Sequence, residues 1–315
     1  MRNSKCSFGR NAETAFFNKR KEWGSIVDLF SGLESLGIEG LGDLDIYADD
    51  SAKNEEVDAD TQKVVKTKAP EAVEAEYIFD KTYTCPVCDR SFKSKTLKAN
   101  KAKLISTDLD LRPVYQNIDI VKYDVVACPC CGYAVLNRYF APLTTMQVKK
   151  IKETISKNYK IKDEKKRKIY SYDESIERSK LALLSSVIKV GKDSEKAYVC
   201  LKTAWLFRGK AEHLPENETE EIKRCEKEEE AFLSKAYDGF VSARKKELFP
   251  ICGMDELTFD YLLAALAHRL GHLEVSAKMV GDILGKHTAN RRVKEKTRIL
   301  KDALLQDIQA KKQNI

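Results

Sequence analysis

The chain has few of the residues on which enzyme sites are commonly built. Its 315 residues include only four histidines, and none of them precedes His213. The sequence contains no Walker-type phosphate loop, no GxGxxG, no GxSxG elbow and no carboxylate cluster. A nucleotide-dependent or ordinary hydrolytic enzyme therefore has little support, and we predict a protein that is not an enzyme.

Long hydrophobic runs are also missing. No segment approaches the roughly 18 uncharged apolar residues that a membrane span needs. The N-terminal MRNSKCSFGRNAETAFF carries basic residues without the apolar core of a secretory signal. We therefore predict a cytoplasmic protein without a membrane span, whose nine cysteines are metal ligands or buried thiols rather than disulfides.

Negative charge is concentrated at the start of the chain. The formal net charge is +7, yet residues 1–80 hold 10 Lys+Arg and 17 Asp+Glu, so residues 81–315 carry a net charge of +14. Residues 49–76 contain no aromatic and few large aliphatic side chains, too few to offset the entropy of ordering them. We predict that residues 1–80 form an acidic, mostly disordered leader.

One part of this leader is amphipathic. Residues 25–37 place Ile26, Phe30, Leu33 and Leu36 near helical spacing. Two interpretations of this segment stay open: it docks on another protein, or it packs against the C-terminal domain of its own chain.

Residues 81–142 have the composition of a small β-rich module. Positions 120–127, IVKYDVVA, form a β-branched and aromatic run that leads directly into Cys128. Two CxxC units lie in this stretch, Cys85-Pro-Val-Cys88 and Cys128-Pro-Cys-Cys131, and a glycine follows the second.

Two CxxC units predict a metal site. Each such turn lets two thiolates reach one ion at about 2.3 Å, and two turns complete a tetrahedral site with no open position. We therefore predict one structural Zn²⁺ per chain, on which the module depends for folding. The predicted ligands are Cys85, Cys88, Cys128 and Cys131.

Alternatives to this assignment are weaker. Cys130 lies inside the second CxxC and could replace a ligand. Redox catalysis at a CxxC is disfavoured, because no βαβ unit follows either motif. A catalytic zinc site is disfavoured as well, because such sites usually include histidine or a carboxylate.

Residues 143–315 are predicted to be all helix. Proline is nearly absent from this segment after its entry, with only Pro215 and Pro250. Apolar periodicity, capping residues and glycines predict seven helices, the third of which ends near Gly209. Short connections favour antiparallel neighbours. The predicted class is α+β: a zinc-ribbon-like module (81–142), then an all-α helical-hairpin domain (143–315), after a disordered leader.

Three motifs carry a family resemblance: CPVC at 85–88, DLDLRPVY at 108–115 and YDVVACPCCGYA at 123–134. Together they resemble a bacterial family of uncharacterised proteins that is labelled as a domain of unknown function. The resemblance covers roughly residues 77–310 and implies a zinc-ribbon-type module followed by helices similar to tetratricopeptide repeats. It implies no activity. The segment 261–277 itself looks like one tetratricopeptide unit that turns at Gly271.

A basic run at 149–168 holds ten Lys+Arg and three Asp+Glu. Lysines in such a run can neutralise phosphates, although solvated lysine-rich helix faces are common. The candidate contacts with nucleic acid or an acidic partner are Lys149, Lys150, Lys152, Lys157, Lys160, Lys165, Lys166, Arg167 and Lys168.

The functional expectation follows from these features. We expect a non-enzymatic interaction scaffold that binds a peptide or protein through its helical domain, since helical hairpin arrays offer extended surfaces. The alternative is a zinc-ribbon nucleic-acid-binding protein that uses the basic run at 149–168.

Overall fold

The structure is a computed structural model of the chain, and it describes residues 28–41, 44–47, 70–161, 168–288 and 290–313. It confirms the predicted α+β class, because small antiparallel sheets come first along the described chain and helices follow. The predicted disorder of positions 49–69 lies outside the described residues.

Three two-stranded antiparallel sheets form the β part of the described residues, and they pair in chain order as β1–β2, β3–β4 and β5–β6. One CxxC turn joins β1 to β2, and the other joins β5 to β6. The six strands span Ile78–Thr84, Ser91–Leu97, Leu104–Thr107, Pro113–Tyr115, Val125–Ala127 and Ala134–Leu136.

Eight α-helices are described. The first, α1, precedes the sheets, and α2 to α8 follow them and correspond to the seven predicted helices. In chain order they span Pro70–Glu76, Thr145–Ile151, Tyr172–Ile188, Asp193–His213, Thr219–Lys246, Glu256–Arg269, Leu273–Gly285 and Arg291–Gln313. None of the described helices combines the length and the apolar composition that crossing a bilayer requires.

Folded structure begins earlier than the predicted leader boundary at residue 80. Helix α1 and most of β1 lie before that residue. Val73 and Tyr77 are buried in a small apolar cluster with Tyr123. Glu74 Oε1 accepts hydrogen bonds from Lys122 Nζ at 2.6 Å and from Tyr123 OH at 2.7 Å. These contacts with the β module order a stretch whose composition predicts a linker.

The amphipathic segment of the leader packs against its own chain. Leu33 and Leu36 form a short 3₁₀ turn and are fully buried in the main apolar core with Phe30. Lys180 Nζ of α3 donates to Ser31 O at 2.9 Å. Of the two interpretations left open, the described part therefore selects packing within the chain; positions 25–27 lie outside it.

One apolar core joins the β module to the helical domain. Strands β5 and β6 pack on α3, and Leu183 and Leu184 of α3 are fully buried beside Ala134 and Leu136 of β6. The start of β6 is also tied to α3, because Ala134 N donates to Ser185 Oγ of α3 at 3.2 Å. The β module is thus seated on α3 rather than standing apart.

Helix α4 continues past Gly209, where the sequence predicts its end. A Cβ at this position would lie 2.8 Å from Asp119 Oδ2 and from the Tyr172 ring. Glycine here serves the close approach of two neighbouring segments rather than helix termination. A lone glycine inside a helix costs only about 1 kcal/mol, and tertiary contacts offset that cost.

The helices of the C-terminal part pack as successive neighbours from α3 to α8. Between α6 and α7 the chain turns at Gly271 with φ 74°, and Ser276 Oγ donates to Ala264 O at 2.8 Å, so small residues bring these helices together. Helix α5, with 28 residues, is much longer than its neighbours. The likeness to tetratricopeptide repeats stays a prediction.

Candidate metal centre

The four predicted ligands converge on one point. The Sγ atoms of Cys85, Cys88, Cys128 and Cys131 all lie within 4.8 Å of one another. The Cys85–Cys131 sulfurs are 3.5 Å apart, and the Cys88–Cys128 sulfurs are 3.7 Å apart. Four sulfurs at about 2.3 Å from one tetrahedral ion would be about 3.8 Å apart. The quartet therefore has the dimensions of a mononuclear tetrathiolate site.

Both knuckles share one backbone pattern. The amide of the first cysteine donates to the carbonyl five residues on, from Cys85 to Arg90 (3.1 Å) and from Cys128 to Tyr133 (2.8 Å). The amide of the residue after the last cysteine donates back to the first cysteine's carbonyl. This residue has positive φ in each knuckle, 58° at Asp89 and 76° at Gly132. Two similar hairpin turns thus present their thiols to one another.

The centre is enclosed on several sides. Cys85, Cys128 and Cys131 are buried, whereas Cys88 is partly exposed. Val87 N donates to Cys85 Sγ at 3.4 Å, the type of amide–sulfur bond that stabilises a thiolate ligand. A site with four protein ligands and little solvent contact is typical of a structural metal, because it leaves no position for a substrate or water.

The segment after α2 closes the second knuckle. Ile155 is fully buried, and Tyr159 packs against Gly132, where a Cβ would lie 2.5 Å from the tyrosine ring. Ser156 Oγ donates to Cys131 O at 2.9 Å. The α-helix ends at Ile151, and the chain continues as a short π-helix, Lys152–Ser156.

The thiols influence one another's protonation. Hydrogen bonds from the Cys128 and Cys131 thiols lower the pKa of Cys85, against the effect of burial. Hydrogen bonding to Cys131 and Cys85, together with burial, raises the pKa of Cys128. One thiolate is therefore stabilised by protons that remain on its neighbours. Full ionisation of the quartet requires a cation among the sulfurs, and a divalent metal meets this need.

The remaining cysteines stand apart from this centre. Cys130 is partly exposed and does not belong to the group of four convergent sulfurs. Cys200 and Cys225 are buried, as their positions on apolar helix faces predict. Cys252 is also buried, and the Tyr139 hydroxyl donates to its Sγ at 3.5 Å.

The basic run at 149–168 is only partly described. Lys149, Lys152, Lys157, Lys160 and Lys168 are exposed, and Lys150 is half-buried. Lys149 is 3.9 Å from Glu153 on the next turn. Lys165, Lys166 and Arg167 lie outside the described residues.

A cluster of charged residues that the sequence analysis did not predict lies at the β3–β4 loop. Asp110 is buried and accepts a hydrogen bond from Trp205 Nε1 at 3.0 Å and from the Arg208 guanidinium at 2.6 Å. Arg208 also donates to Asp108 at 2.9 Å and to Glu229 of α5 at 2.9 Å.

This ionic cluster extends to a third helix. Arg269 of α6 donates to the same Glu229 oxygen at 2.7 Å, and Tyr261 OH donates to Leu109 O at 2.8 Å. Each charge in the cluster has a partner of opposite sign, so we read the cluster as a structural tie between the loop and three helices. The motif Asp108-x-Asp110 was visible in the sequence, but its partners lie about 100 residues away.

Comparison with known proteins gives one match. The model of a family described as "Uncharacterized protein conserved in bacteria (DUF2225)" matches residues 78–304. No curated protein and no solved structure matches the chain. The matched range begins at β1, includes all four convergent cysteines and ends within α8.

Proposed function

The chain belongs to the DUF2225 family, and we propose that it is a cytoplasmic, non-enzymatic scaffold whose β module is stapled by one structural Zn²⁺. In this proposal the helical domain binds a protein or peptide partner. The observation that carries the proposal is the closed quartet of cysteine sulfurs. The four thiolates fill the coordination sphere of a tetrahedral ion, so no position remains for a substrate.

Zinc is the ion that this donor set favours. Tetrahedral sites with four sulfurs are typical of zinc or of iron–sulfur centres. Four sulfurs that all lie within 4.8 Å of one another leave room for one ion and too little for a multi-iron cluster. The residues that would hold the ion are Cys85, Cys88, Cys128 and Cys131.

Metal analysis of the purified chain tests the staple. We expect about one zinc per chain in the unaltered protein and its loss in Cys131→Ser. Cys130→Ser is the matched control, because it removes the adjacent thiol that lies outside the quartet. Iron in place of zinc, or equal metal loss in both variants, would contradict the assignment.

The scaffold role rests on the surface of the last two helices. Val275 on α7 is 38% exposed, and Ile299 and Leu305 on α8 are 59% and 46% exposed. Helical arrays commonly use such terminal or concave surfaces to bind partners.

Photo-crosslinking in the native host tests the location of the partner site. We expect a crosslinkable residue at Val275 or Ile299 to capture the same protein, in adducts that survive nuclease digestion. The control position is Phe79, an exposed apolar residue on β1 of the β module. Capture from Phe79 alone, or no protein adduct from any of these positions, would contradict binding through the helical domain.

The alternative function stays a prediction. A nucleic-acid-binding protein that uses the run at 149–168 would lose affinity steeply with salt, because lysine contacts to phosphates release counterions. Exposure of Lys149 and Lys157 is compatible with such contacts but equally with a solvated surface.

A further inference from the structure

Helix α8 and the turn before it carry the densest positive charge of the folded C-terminal end. Residues 286–301 contain seven Lys+Arg and one acidic residue, Glu295. Three of the seven are arginines, whose planar guanidinium groups bind phosphate in a bidentate manner. The basic residues are Lys286, Arg291, Arg292, Lys294, Lys296, Arg298 and Lys301.

Four of these cations form one stripe. Arg291, Lys294, Arg298 and Lys301 follow one another at spacings of three, four and three residues, which places them on one side of the helix. The buried residues of α8, Val293, Thr297, Leu300 and Leu304, lie on a separate side of the helix, about a third of a turn away. At 1.5 Å per residue the stripe is about 15 Å long.

The described ion pairs compensate little of the charge of this stripe, although Asp302 lies one turn after Arg298. Arg291 is 2.9 Å from Glu295, but its side chain is 92% exposed, so this pair contributes little. Within the described part of the chain, no carboxylate lies within ion-pair distance of Lys294, Arg298 or Lys301. The first turn of α8 contains no acidic residue either.

This clustering of positive charge destabilises helix α8. Cations near a helix N-terminus oppose the helix dipole, and like charges one turn apart repel. The neighbouring Lys296 is affected as well, because burial and the charge of Arg292 lower its pKa. A bound polyanion would relieve both costs.

We propose that this stripe, Arg291–Lys294–Arg298–Lys301, binds the phosphate backbone of a nucleic acid. One strand of a duplex carries a phosphate about every 3.4 Å along its axis, so a stripe of about 15 Å faces about four phosphates. Insertion into a lipid surface is disfavoured, because Val293, Leu300 and Leu304 of α8 are buried in the protein, which leaves Ile299 and Leu305 as its exposed large apolar side chains. The inference goes beyond the proposed scaffold function and does not depend on the metal.

Binding of the full-length chain to a 20-base-pair DNA duplex, measured across a series of salt concentrations, tests the inference. For four phosphate contacts we expect the logarithm of affinity to fall with the logarithm of salt at a slope of about −3.6. Arg291→Ala combined with Arg298→Ala should reduce this slope by about 1.8. The matched control, Lys149→Ala combined with Lys157→Ala, removes the same charge from the run at 149–168 and should leave the slope unchanged.

A second double variant, which changes neither the charge nor the helical propensity of α8 greatly, separates loss of binding from loss of folding. Arg291→Lys combined with Arg298→Lys preserves the charge, so we expect the slope to be retained while affinity falls several-fold through loss of bidentate contacts. The inference is overturned if the unaltered chain does not bind at low salt, or if the control variant loses as much slope. It is also overturned if polyglutamate of equal charge binds as tightly as the duplex, which would indicate an acidic protein partner.

Discussion

At the scale of single residues, the position after the last cysteine controls the shape of each knuckle. This residue has positive φ in both, yet it is Asp89 in the first and Gly132 in the second. Asp89 is exposed, and aspartate tolerates the left-handed conformation better than most residues. Gly132 has a second constraint, since Tyr159 packs where a Cβ would stand.

Substitutions at these two positions therefore have unequal effects on stability. We expect Gly132→Ala to lower the free energy of unfolding by more than about 2 kcal/mol, because it adds backbone strain to a clash with Tyr159. Asp89→Gly should be close to neutral, because it relieves strain while adding entropy to the unfolded chain. Chemical denaturation of the metal-loaded variants measures both changes, and equal destabilisation would contradict the argument.

The metal ligands were predictable from sequence, because CxxC spacing brings two sulfurs together within one turn whatever the rest of the fold does. Each turn supplies two of the four thiolates that a tetrahedral ion needs, so two such turns are expected to bind one ion together. The role of Gly132 in packing against Tyr159 was not predictable, because the contact joins positions that only the tertiary structure brings together.

At the scale of elements, the β3–β4 loop is fixed to the helices by buried charge. Arg208 of α4 lies between Asp110 of the loop and Glu229 of α5, and all three are at least 91% buried. Removing one member of such a set leaves an uncompensated charge in a poorly solvated place, which is far more costly than losing an exposed pair.

Replacing Arg208 should therefore destabilise the protein strongly. We expect Arg208→Met to cost about 3–5 kcal/mol in free energy of unfolding. Lys223→Met is the control, because Lys223 on α5 is 69% exposed and pairs with Glu220 on its own helix, so its loss should cost less than about 1 kcal/mol. If both variants unfold at the same denaturant concentration, the cluster is not a structural tie.

The same cluster predicts a dependence of stability on pH. Burial raises the pKa of Asp110, but hydrogen bonds and charge from Arg208 outweigh it, so its pKa in the folded state is lowered. A lowered pKa means that the stabilisation is fully present above the unfolded value of about 4 and is lost as pH falls below it.

Asp110→Asn removes this contribution. We expect the variant to be less stable than the unaltered chain at pH 7 and to lose less stability between pH 5 and pH 3. Denaturation curves at a series of pH values check this, with Trp205 fluorescence as the signal because its indole bonds Asp110. Parallel loss of stability in the two proteins would exclude Asp110 as a source of the dependence.

Most elements were predictable in type and order from capping residues and apolar periodicity. Thr144 and Ser171 cap α2 and α3 as their sequence patterns predict. Helix α1 and the extension of α4 through Gly209 were not predictable, because local composition opposes both. Each is held by contacts with distant residues, such as Glu74 with Lys122.

At the scale of the whole molecule, the metal centre and the helices share one core. The buried cysteines belong to the same apolar cluster as the central residues of α3, α4 and α5. The β module therefore has an apolar core in addition to its metal centre, and its dependence on the ion for folding stays a prediction. The shared core was not predictable from the sequence. A β-rich segment followed by a helical segment is equally compatible with two independent domains.

A shared core predicts that the two parts unfold together. We expect one thermal transition for the metal-loaded chain, with the helical circular dichroism and Trp205 fluorescence changing at the same temperature. Chelation should lower the midpoint by roughly 8 °C or more if the ion contributes at least about 4 kcal/mol. Two separate transitions in the loaded chain would show that the module and the helices are energetically independent.

X-ray absorption spectroscopy of the purified full-length chain at the zinc edge tests the central claim most directly. The account predicts one zinc per chain, surrounded by four sulfurs at about 2.3 Å. The same spectrum should be retained in Cys130→Ser, whose thiol lies outside the quartet. A first shell that contains nitrogen or oxygen ligands, or a chain that holds no zinc after expression in zinc-replete medium, would contradict the account.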